Sequence, residues 1–302
     1  METTGRFAPS PSGRLHLGNL LCALLVWLSA RQKGGRVLLR VEDLDTARCP
    51  RRYAAQMEAD LRWLGLDWDR EMPLQSTRTP VYAEQFERLR KRGLIYPCFC
   101  TRNELHAASA PHASDGTLLY AGTCRNLTPA QIASQTRKPA WRIRVPEETI
   151  SFRDGVFGAV TQNLATACGD FILRRSDGVF AYQLAVSVDD LDMGITRVVR
   201  ARDLLDSTPR QIWLMGTLGG KAPEYAHAPL LVAPDGRKLS KREGDLNMEA
   251  LRQKYTPEQL TGKLAKLAGL RPTDAPVTAI ELAADFSWDK VPRADIPIPP
   301  DF

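Results

Sequence analysis

The chain has 302 residues, of which 43% are hydrophobic and 25% charged, with a formal net charge of +6 and a pI of about 9.1. This composition is typical of a globular protein with one large or two modest domains. The longest apolar run, Leu20–Leu28, is too short to cross a bilayer, and the acidic Glu2 with no early apolar stretch argues against a signal peptide. We therefore expect a cytoplasmic protein without a membrane partner.

The charge and the cysteines leave alternatives open. The mild basic excess fits a polyanionic partner such as RNA, but it fits a simply basic soluble protein equally well. Four of the six cysteines, Cys22, Cys49, Cys98 and Cys168, lie far apart in the sequence. In a large intracellular chain, this spacing favours reduced thiols or a metal site over disulfides.

The N-terminal region has the pattern of a βαβ unit. Residues 5–11 predict a short strand that runs into a proline-broken loop, residues 19–32 a helix that Gly34 and Gly35 end, and Val37–Val41 a second strand. Such a unit implies a parallel sheet with a right-handed crossover. Apolar residues at helical spacing predict two amphipathic helices, over 50–66 and 80–93.

The middle of the chain has a different pattern. Residues 98–150 combine a close cysteine pair, a stretch of small residues and an alternating strand, Trp141–Val145, which together predict an inserted antiparallel piece. Strands follow at 170–174 and 196–200, and 229–245 is a loop rich in glycine and lysine. The proline-punctuated tail from about residue 290 is predicted to be a surface arm. The predicted domains are a first α/β half (1–97), an insertion (98–179), a second α/β half (180–246) and a short helical segment with its tail (247–302).

Two loops carry residues that suit nucleotide chemistry. Pro9–Asn19 lies between the first strand and the first helix, where open parallel sheets bind ligands. There, Gly18 lets the backbone approach a nucleotide closely, and His16 can donate a hydrogen bond to phosphate oxygens. The second loop, Lys238–Arg242, carries cations that suit a triphosphate and the charge that develops as pyrophosphate leaves. Each loop alone is more simply explained as a structural turn or as solvated surface.

Together, His16-Leu-Gly-Asn19 and Lys238-Leu-Ser-Lys-Arg242 resemble the paired signatures of class I aminoacyl-tRNA synthetases. The segments between residue 5 and about 246 that look like the glutamyl branch are Arg6–Gly18, Leu39–Asp45, Tyr182–Asp190 and Thr196–Leu205. The resemblance implies an α/β fold with a Rossmann-type parallel-sheet catalytic domain that uses ATP with Mg²⁺. It assigns catalysis to His16, Lys238 and Lys241, and ATP binding to His16, Gly18, Asn19, Lys238, Ser240 and Lys241.

The resemblance also implies a glutamate site. A substrate with two carboxylates and one ammonium needs cations and one acid, and a guanidinium binds a carboxylate bidentately. The candidate residues are Arg6, Ala8, Ser10, Glu42, Tyr182 and Arg200, with Glu42 on the ammonium and the Tyr182 hydroxyl on the side-chain carboxylate. Val186 departs from the family, which usually has Asn at this position, and the change predicts weaker glutamate binding or a different pose.

Cys98, Cys100, Tyr120 and Cys124 have the spacing of a tetrahedral zinc site, although three thiolates with a tyrosine are an unusual set. The alternative is a group of free thiols beside a packed tyrosine, and His106 and His112 are rival ligands. Glutamyl-type enzymes carry a zinc ligand set at this place. The resemblance therefore implies one structural Zn²⁺ that pins an inserted, acceptor-binding-like domain.

Residues 247–302 are too few for an anticodon-binding domain of about 100 residues. This narrows the resemblance to the short paralogues called glutamyl-Q tRNA(Asp) synthetases. That group implies activation of L-glutamate with ATP, without tRNA, and transfer of glutamate to queuosine at the first anticodon position of tRNA(Asp). The alternatives are a truncated enzyme that charges tRNA(Glu) with a partner, a non-catalytic RNA-binding paralogue, and glutamylation of a small carrier. A monomer is the default expectation.

Overall fold

The computed structural model describes residues 2–107, 119–237, 246–300 and 302. Its main sheet draws strands from both halves of the chain. The first three strands are parallel to one another: β1 (Thr4–Phe7), β2 (Arg36–Leu39) and β3 (Arg70–Glu71). The second group has the order β7-β6-β10-β9 and comprises β6 (Thr149–Asp154), β7 (Gly158–Asn163), β9 (Arg197–Ala201) and β10 (Glu224–Ala228).

The two groups of strands meet where β9 lies beside β1. The amide of Thr196 donates to the carbonyl of Thr4 at 3.0 Å, and the amide of Thr4 donates to the Thr196 hydroxyl at 2.8 Å. The strands therefore form one layer in the order β3-β2-β1-β9-β10-β6-β7, in which only β7 is antiparallel to its neighbour. The predicted α/β fold with a parallel sheet is confirmed.

Helix α1 (Leu17–Arg31) is the crossover between β1 and β2. Eleven of its fifteen residues are buried, so it is apolar nearly all round. A helix of this kind must be covered on more than one side. It packs against β1, β2 and β9 on one side and against α11 (Ala279–Ala283) on another.

The remaining helices of the two α/β halves flank this layer. They are α2 (Arg51–Trp63), α3 (Thr79–Lys91), α7 (Tyr182–Asp192) and α8 (Thr208–Thr217), with 3-10 turns at Gln75–Arg78 and Arg202–Ser207. Helix α7 packs against α3 and α8. Tyr82, Phe86 and Leu184 belong to the apolar core beneath it.

A second, antiparallel sheet has the order β4-β5-β8 and comprises β4 (Ile95–Cys98), β5 (Ala140–Ile143) and β8 (Ile172–Arg174). The antiparallel strand predicted at Trp141–Val145 corresponds to β5, which begins one residue earlier and ends at Ile143. Short helices α4 (Arg102–Ala107), α5 (Pro129–Ala133) and α6 (Leu164–Ala167) lie in the same stretch of chain. The predicted insertion, 98–179, also contains β6, which the structure pairs with β10 in the main sheet.

The C-terminal region contains α9 (Met248–Lys254), α10 (Pro257–Leu267), α11, a 3-10 turn at Trp288–Lys290, and β12 (Ile296–Pro297), which pairs with β11 (Leu231–Val232). The prediction that the tail from about residue 290 is a surface arm is wrong. Val291, Ile296 and Ile298 are buried, and the amides of Ile296 and Ile298 donate to Leu230 and Val232 at 2.8 and 2.9 Å. A proline removes a donor only at its own position, so the isoleucines between the prolines still complete the ladder.

Candidate active site

The chain leaves β1 and β2 side by side at the carboxyl edge of the main sheet. The amide of Arg40 donates to the carbonyl of Phe7, and the amide of Glu42 donates to the carbonyl of Pro9, each at 2.9 Å. Ala8 therefore lies beside the segment that carries Arg40 and Glu42. Ser10, just beyond it, is exposed. Parallel sheets bind ligands at this edge.

A cluster of buried charges lies under this edge. Asp190 of α7 accepts hydrogen bonds from Arg6 at 3.3 Å and from Arg40 at 2.6 Å, and Arg40 also donates to Glu42 at 2.9 Å. Burial opposes ionisation of Asp190, but the charges of Arg40 and Arg6 hold its pKa below the ordinary value. The carboxylate therefore stays charged and holds the two guanidinium groups by hydrogen bonds.

Arg6 keeps hydrogen-bonding capacity in this cluster. Its Nε donates to Asp190, and its Nη1 donates to the carbonyl of Val199 at 3.0 Å. A guanidinium has five N–H hydrogens. Counting partners among the described residues, three remain on the Nη1 and Nη2 edge, which can bind a carboxylate bidentately.

Arg200 is engaged more fully. Its Nε donates to His227 at 3.0 Å, its Nη1 to Gln211 at 2.7 Å, and its Nη2 to Thr208 at 2.7 Å and to the carbonyl of Leu204 at 3.2 Å. Within the described chain these contacts use four hydrogens and leave one on Nη1. Arg200 is thus held rigidly, with a single donor for a ligand, and the bidentate geometry expected from the sequence suits Arg6 better.

Tyr182, the first residue of α7, lies within the electrostatic reach of the two arginines and Glu42. Burial raises the pKa of Tyr182, and the groups whose charges act on it most strongly are Arg200, Glu42 and Arg6. Burial likewise raises the pKa of Glu42, against the charges of Arg40 and Arg6. The structure therefore brings Arg6, Glu42, Tyr182 and Arg200 into one neighbourhood, as the sequence motifs suggest.

Val186 lies on the same face of α7 as Tyr182 and Asp190, since positions four apart stack along a helix. It is fully buried, yet the apolar core clusters formed by the described residues do not include it. Its side chain therefore lies on the helix face that carries the charged cluster.

His16 is the exposed residue that caps the N-terminus of α1. Its amide donates to the Asn19 side chain at 3.1 Å. A Cβ at Gly18 would lie 3.2 Å from the His16 ring, so glycine leaves room for the imidazole at this turn. His16 also forms a β-bridge with Asn247, which attaches the chain after residue 245 to the start of α1. The predicted Lys238, Ser240 and Lys241 lie outside the described residues.

Cys98, Cys100, Tyr120 and Cys124 form a compact cluster. The three sulfur atoms lie within 4.8 Å of one another, and the Cys100 and Cys124 sulfurs are 3.6 Å apart. The Tyr120 hydroxyl oxygen lies 3.5 Å from the Cys98 sulfur and 3.7 Å from the Cys100 sulfur. Arg142 donates to Cys98 at 3.3 Å, which places a cation beside the thiols. Of the rival ligands, the His106 side chain and His112 lie outside what the structure describes.

Several buried residues near the candidate site are not predicted by the sequence motifs. Asp189 accepts hydrogen bonds from Arg78 and Gln75 at 2.7 Å and from Tyr82 at 2.9 Å, and His227 lies 2.6 Å from Asp154. The consecutive acids at the end of the Tyr182–Asp190 segment are a signal in the sequence. Their partners lie more than 100 residues away, however, so no local spacing reveals the pairing.

Comparison with known families gives a match over residues 2–292 to the catalytic domain of class I tRNA synthetases of the E and Q type. The chain belongs to this family. It is 47% identical to a glutamyl-Q tRNA(Asp) synthetase of Nitratidesulfovibrio vulgaris, over 98% of this chain and 96% of that protein. It is 45% identical to one of Neisseria meningitidis, over 98% and 99%. These class I synthetases are ligases, so the chain is placed among enzymes.

Solved structures agree with the family match. A glutamate tRNA ligase from Elizabethkingia meningosepticum, in complex with its amino acid, superposes with a TM-score of 0.85 at 28% identity. The match covers 100% of this chain and 68% of that one. The class I synthetase fold is therefore confirmed. No helix within the described residues has the length and hydropathy needed to span a membrane.

Proposed function

We propose that this chain activates L-glutamate with ATP, without tRNA, and transfers it to queuosine at the first anticodon position of tRNA(Asp). The convergence of Arg6, Glu42, Tyr182 and Arg200 at the carboxyl edge of the sheet carries the first half of the proposal. Two guanidinium groups and one carboxylate match a substrate with two carboxylates and one ammonium. The second half, queuosine of tRNA(Asp) as the acceptor, rests on the names of the relatives.

In the proposed recognition, Arg6 binds one substrate carboxylate through its open Nη edge. Arg200 and the Tyr182 hydroxyl bind the side-chain carboxylate, and Glu42 binds the ammonium. The pKa of Glu42, raised by burial, falls when the ammonium arrives because an opposite charge favours the ionised carboxylate. Ala8 and Ser10, next to Glu42, supply backbone and hydroxyl contacts. Val186, on the same face of α7 as Tyr182, lines the pocket without a polar contact.

Activation requires positioning and charge rather than a protein nucleophile. An oxygen of the glutamate α-carboxylate attacks the α-phosphorus in line, a new O–P bond forms, and the bond to pyrophosphate breaks. His16, at the N-terminus of α1, lies where a helix dipole and a ring N–H favour phosphate. Gly18 and Asn19 approach the nucleotide, and Lys238, Ser240 and Lys241 hold the leaving pyrophosphate with Mg²⁺.

In the transfer step, a hydroxyl of the queuosine ring attacks the carbonyl carbon of glutamyl adenylate. The ester bond forms, AMP leaves with the electron pair, and the hydroxyl proton passes to solvent. The acceptor would approach the sheet edge at Ser10 and His16, which are both exposed within the described part of the chain. The expectations of a monomer and of a cytoplasmic location stay predictions.

The cysteine cluster is proposed to hold one structural Zn²⁺. A tetrahedron with Zn–S bonds of about 2.3 Å and a Zn–O bond of about 2.0 Å has S–S edges of about 3.8 Å and S–O edges of about 3.5 Å. The observed 3.6 Å between Cys100 and Cys124, and 3.5 and 3.7 Å from Tyr120 to Cys98 and Cys100, fit these edges. The residues therefore suit the ion, which would join β4 to the turn around Cys124.

The proposal is tested by incubating the protein with labelled glutamate, ATP and bulk tRNA, then mapping the modified nucleosides by mass. The expected result is a glutamyl adduct on queuosine, absent from tRNA of a strain that makes no queuosine. Glutamate on the terminal ribose of tRNA(Glu) would instead identify a truncated charging enzyme. Label found only on a small molecule would show that the acceptor is a carrier.

A further inference from the structure

Three side chains stand in a row across three adjacent strands, beside the proposed glutamate site. Asp154 ends β6, His227 lies on β10, and Arg200 lies directly opposite His227 on β9. His227 Nδ1 is 2.6 Å from Asp154 Oδ2, and Arg200 Nε is 3.0 Å from His227 Nε2. The three residues are 2%, 0% and 5% exposed, so the row is closed to water.

The direction of each hydrogen bond in this row is determined by the chemistry of its groups. A guanidinium has only donors, so His227 Nε2 must accept from Arg200. A neutral imidazole carries one proton, which must then be on Nδ1 and be donated to Asp154. The other oxygen of Asp154 accepts from the amides of Val156 and Phe157 at 2.9 and 3.0 Å, which fixes the carboxylate itself.

The charge state of the histidine is consistent with this arrangement. Burial lowers the pKa of His227, the charge of Arg200 lowers it further, and the hydrogen bond to Asp154 opposes them without reversing the direction. A protonated imidazole would also place an N–H against the N–H of Arg200. The neutral form of His227 is therefore the one that is compatible with the hydrogen bonds to Arg200 and Asp154.

We propose that Asp154 and His227 are positioning residues that fix the orientation of Arg200 for the side-chain carboxylate of glutamate. This inference rests on the function proposed above. With Nε held by His227 and Nη2 by Thr208 and Leu204, the guanidinium plane cannot turn, and its remaining Nη1 hydrogen points in one direction. A fixed cationic donor favours a carboxylate over the neutral amide of glutamine.

Two substitutions of the same histidine separate positioning from plain structural support. His227→Asn keeps a donor near the Nδ1 position, and so keeps the bond to Asp154, but removes the acceptor for Arg200. His227→Gln keeps an acceptor near the Nε2 position but loses the donor to Asp154. If His227 mainly satisfies the buried Asp154, then Asn is the milder change; if it positions Arg200, Gln is the milder change.

The experiment measures the KM for glutamate and for ATP in pyrophosphate exchange, with inhibition by glutamine, for folded variants matched by melting temperature. For His227→Asn we expect the glutamate KM to rise about 10-fold or more, with an ATP KM changed less than about 2-fold and weaker rejection of glutamine. The rise for His227→Gln should be several-fold smaller. The reverse order, or equal increases in both KM values, would overturn the proposal.

The tautomer gives a readout that does not depend on catalysis. The ¹⁵N ring shifts of His227, assigned by their loss in His227→Gln, should show the Nδ1–H form in the wild type. An Nε2–H form would overturn the proposal. A wild type with the Nδ1–H form but no glutamate-dependent exchange would instead refute the proposed function, and with it the role of the row in glutamate binding. If His227→Asn supports pyrophosphate exchange with an unchanged glutamate KM, the positioning role of Asp154 and His227 is refuted, but the proposed function is not.

Discussion

The charged cluster around Asp190 and the thiol cluster around Cys100 differ in how their polar groups are satisfied. In the first, opposite charges of the protein pair directly, with Asp190 3.3 Å from Arg6 and 2.6 Å from Arg40. In the second, the Tyr120 hydroxyl lies 3.5 and 3.7 Å from the Cys98 and Cys100 sulfurs, and the three sulfurs lie within 4.8 Å of one another. Sulfur is a weak hydrogen-bonding group. The first cluster pairs its charges within the chain, whereas the second has the ligand set of a metal cation.

This difference separates two ways of building a site. A cluster of paired buried charges holds substrate-binding groups in place before the substrate arrives, at the cost of desolvating each charge. A cluster of metal ligands stabilises its surroundings only to the extent that the ion binds. We expect the stability of the main-sheet site to be independent of zinc, and the stability of the β4-β5-β8 lobe to depend on it.

The largest expected effect is on the charged cluster. Asp190→Asn leaves the buried guanidinium of Arg6 without its charged partner and removes one of the carboxylate partners of Arg40, which should lower the free energy of unfolding by about 3–5 kcal/mol. The matched control is Asp192→Asn, two residues along on α7, whose carboxylate is 57% exposed and pairs with Arg78. It should cost about 1 kcal/mol or less. Urea unfolding measures both, and equal losses would show that the buried pairing contributes little.

Removal of the metal is the next largest change. If free zinc exceeds its Kd about 1,000-fold, chelation should cost about 4 kcal/mol, and hydrogen exchange should accelerate in β4 and β5 but not in β1 or β2. Cys100→Ser should reproduce this loss and lower the zinc content from about one ion per chain. Cys49→Ser, a thiol outside the cluster, is the control. Metal-free protein with unchanged exchange in β4 would contradict the comparison.

Arg6→Lys tests whether the charged cluster binds substrate. Lysine keeps the charge but loses the fork that a carboxylate binds bidentately, so the glutamate KM should rise about 10-fold. Arg36→Lys is the matched control on the neighbouring strand, because the Arg36 side chain is 57% exposed and pairs only with Glu2 among the described ion pairs. A glutamate KM that Arg6→Lys leaves unchanged would assign Arg6 to folding alone.

The smallest expected effect is a pH dependence of the stability, caused by two carboxylates of the main-sheet region. The pKa values of Asp154 and Asp190 are lowered in the fold, so these groups bind fewer protons folded than unfolded. Their stabilisation is full above about pH 5 and is lost as pH falls below about 3.9 through the folded pKa values. Urea midpoints between pH 3 and 7 should therefore fall less steeply for Asp154→Asn than for the wild type. An equally steep fall would show that other carboxylates set the acid limit.

The sequence predicts the parts of the fold that local patterns determine. The βαβ start is visible because α1 is apolar nearly all round and lies between two short aliphatic strands. The position of Glu42 beyond β2 follows from the same pattern. The structure of the C-terminal tail does not follow from local patterns. Its prolines suggest a surface arm, whereas the amides of Ile296 and Ile298 bond to the segment that contains β11. That pairing joins segments about 65 residues apart, and no local spacing records it.

The candidate site shows the same division. Motifs point to Arg6, Glu42, Tyr182 and Arg200 one at a time, and the structure brings them together. The motifs do not point to His227, whose partner Asp154 lies 73 residues away in the sequence. The residues proposed to bind substrate lie in recognisable motifs, whereas the buried groups proposed to orient them are brought there by strand pairing.

The measurement that tests the central claim most directly is ATP–pyrophosphate exchange by the purified protein with glutamate and no tRNA. If the chain activates glutamate without tRNA, exchange requires glutamate, is weak with glutamine, and persists after ribonuclease treatment. Exchange that appears only when tRNA is added, or none with glutamate under conditions where the protein is folded, would contradict it.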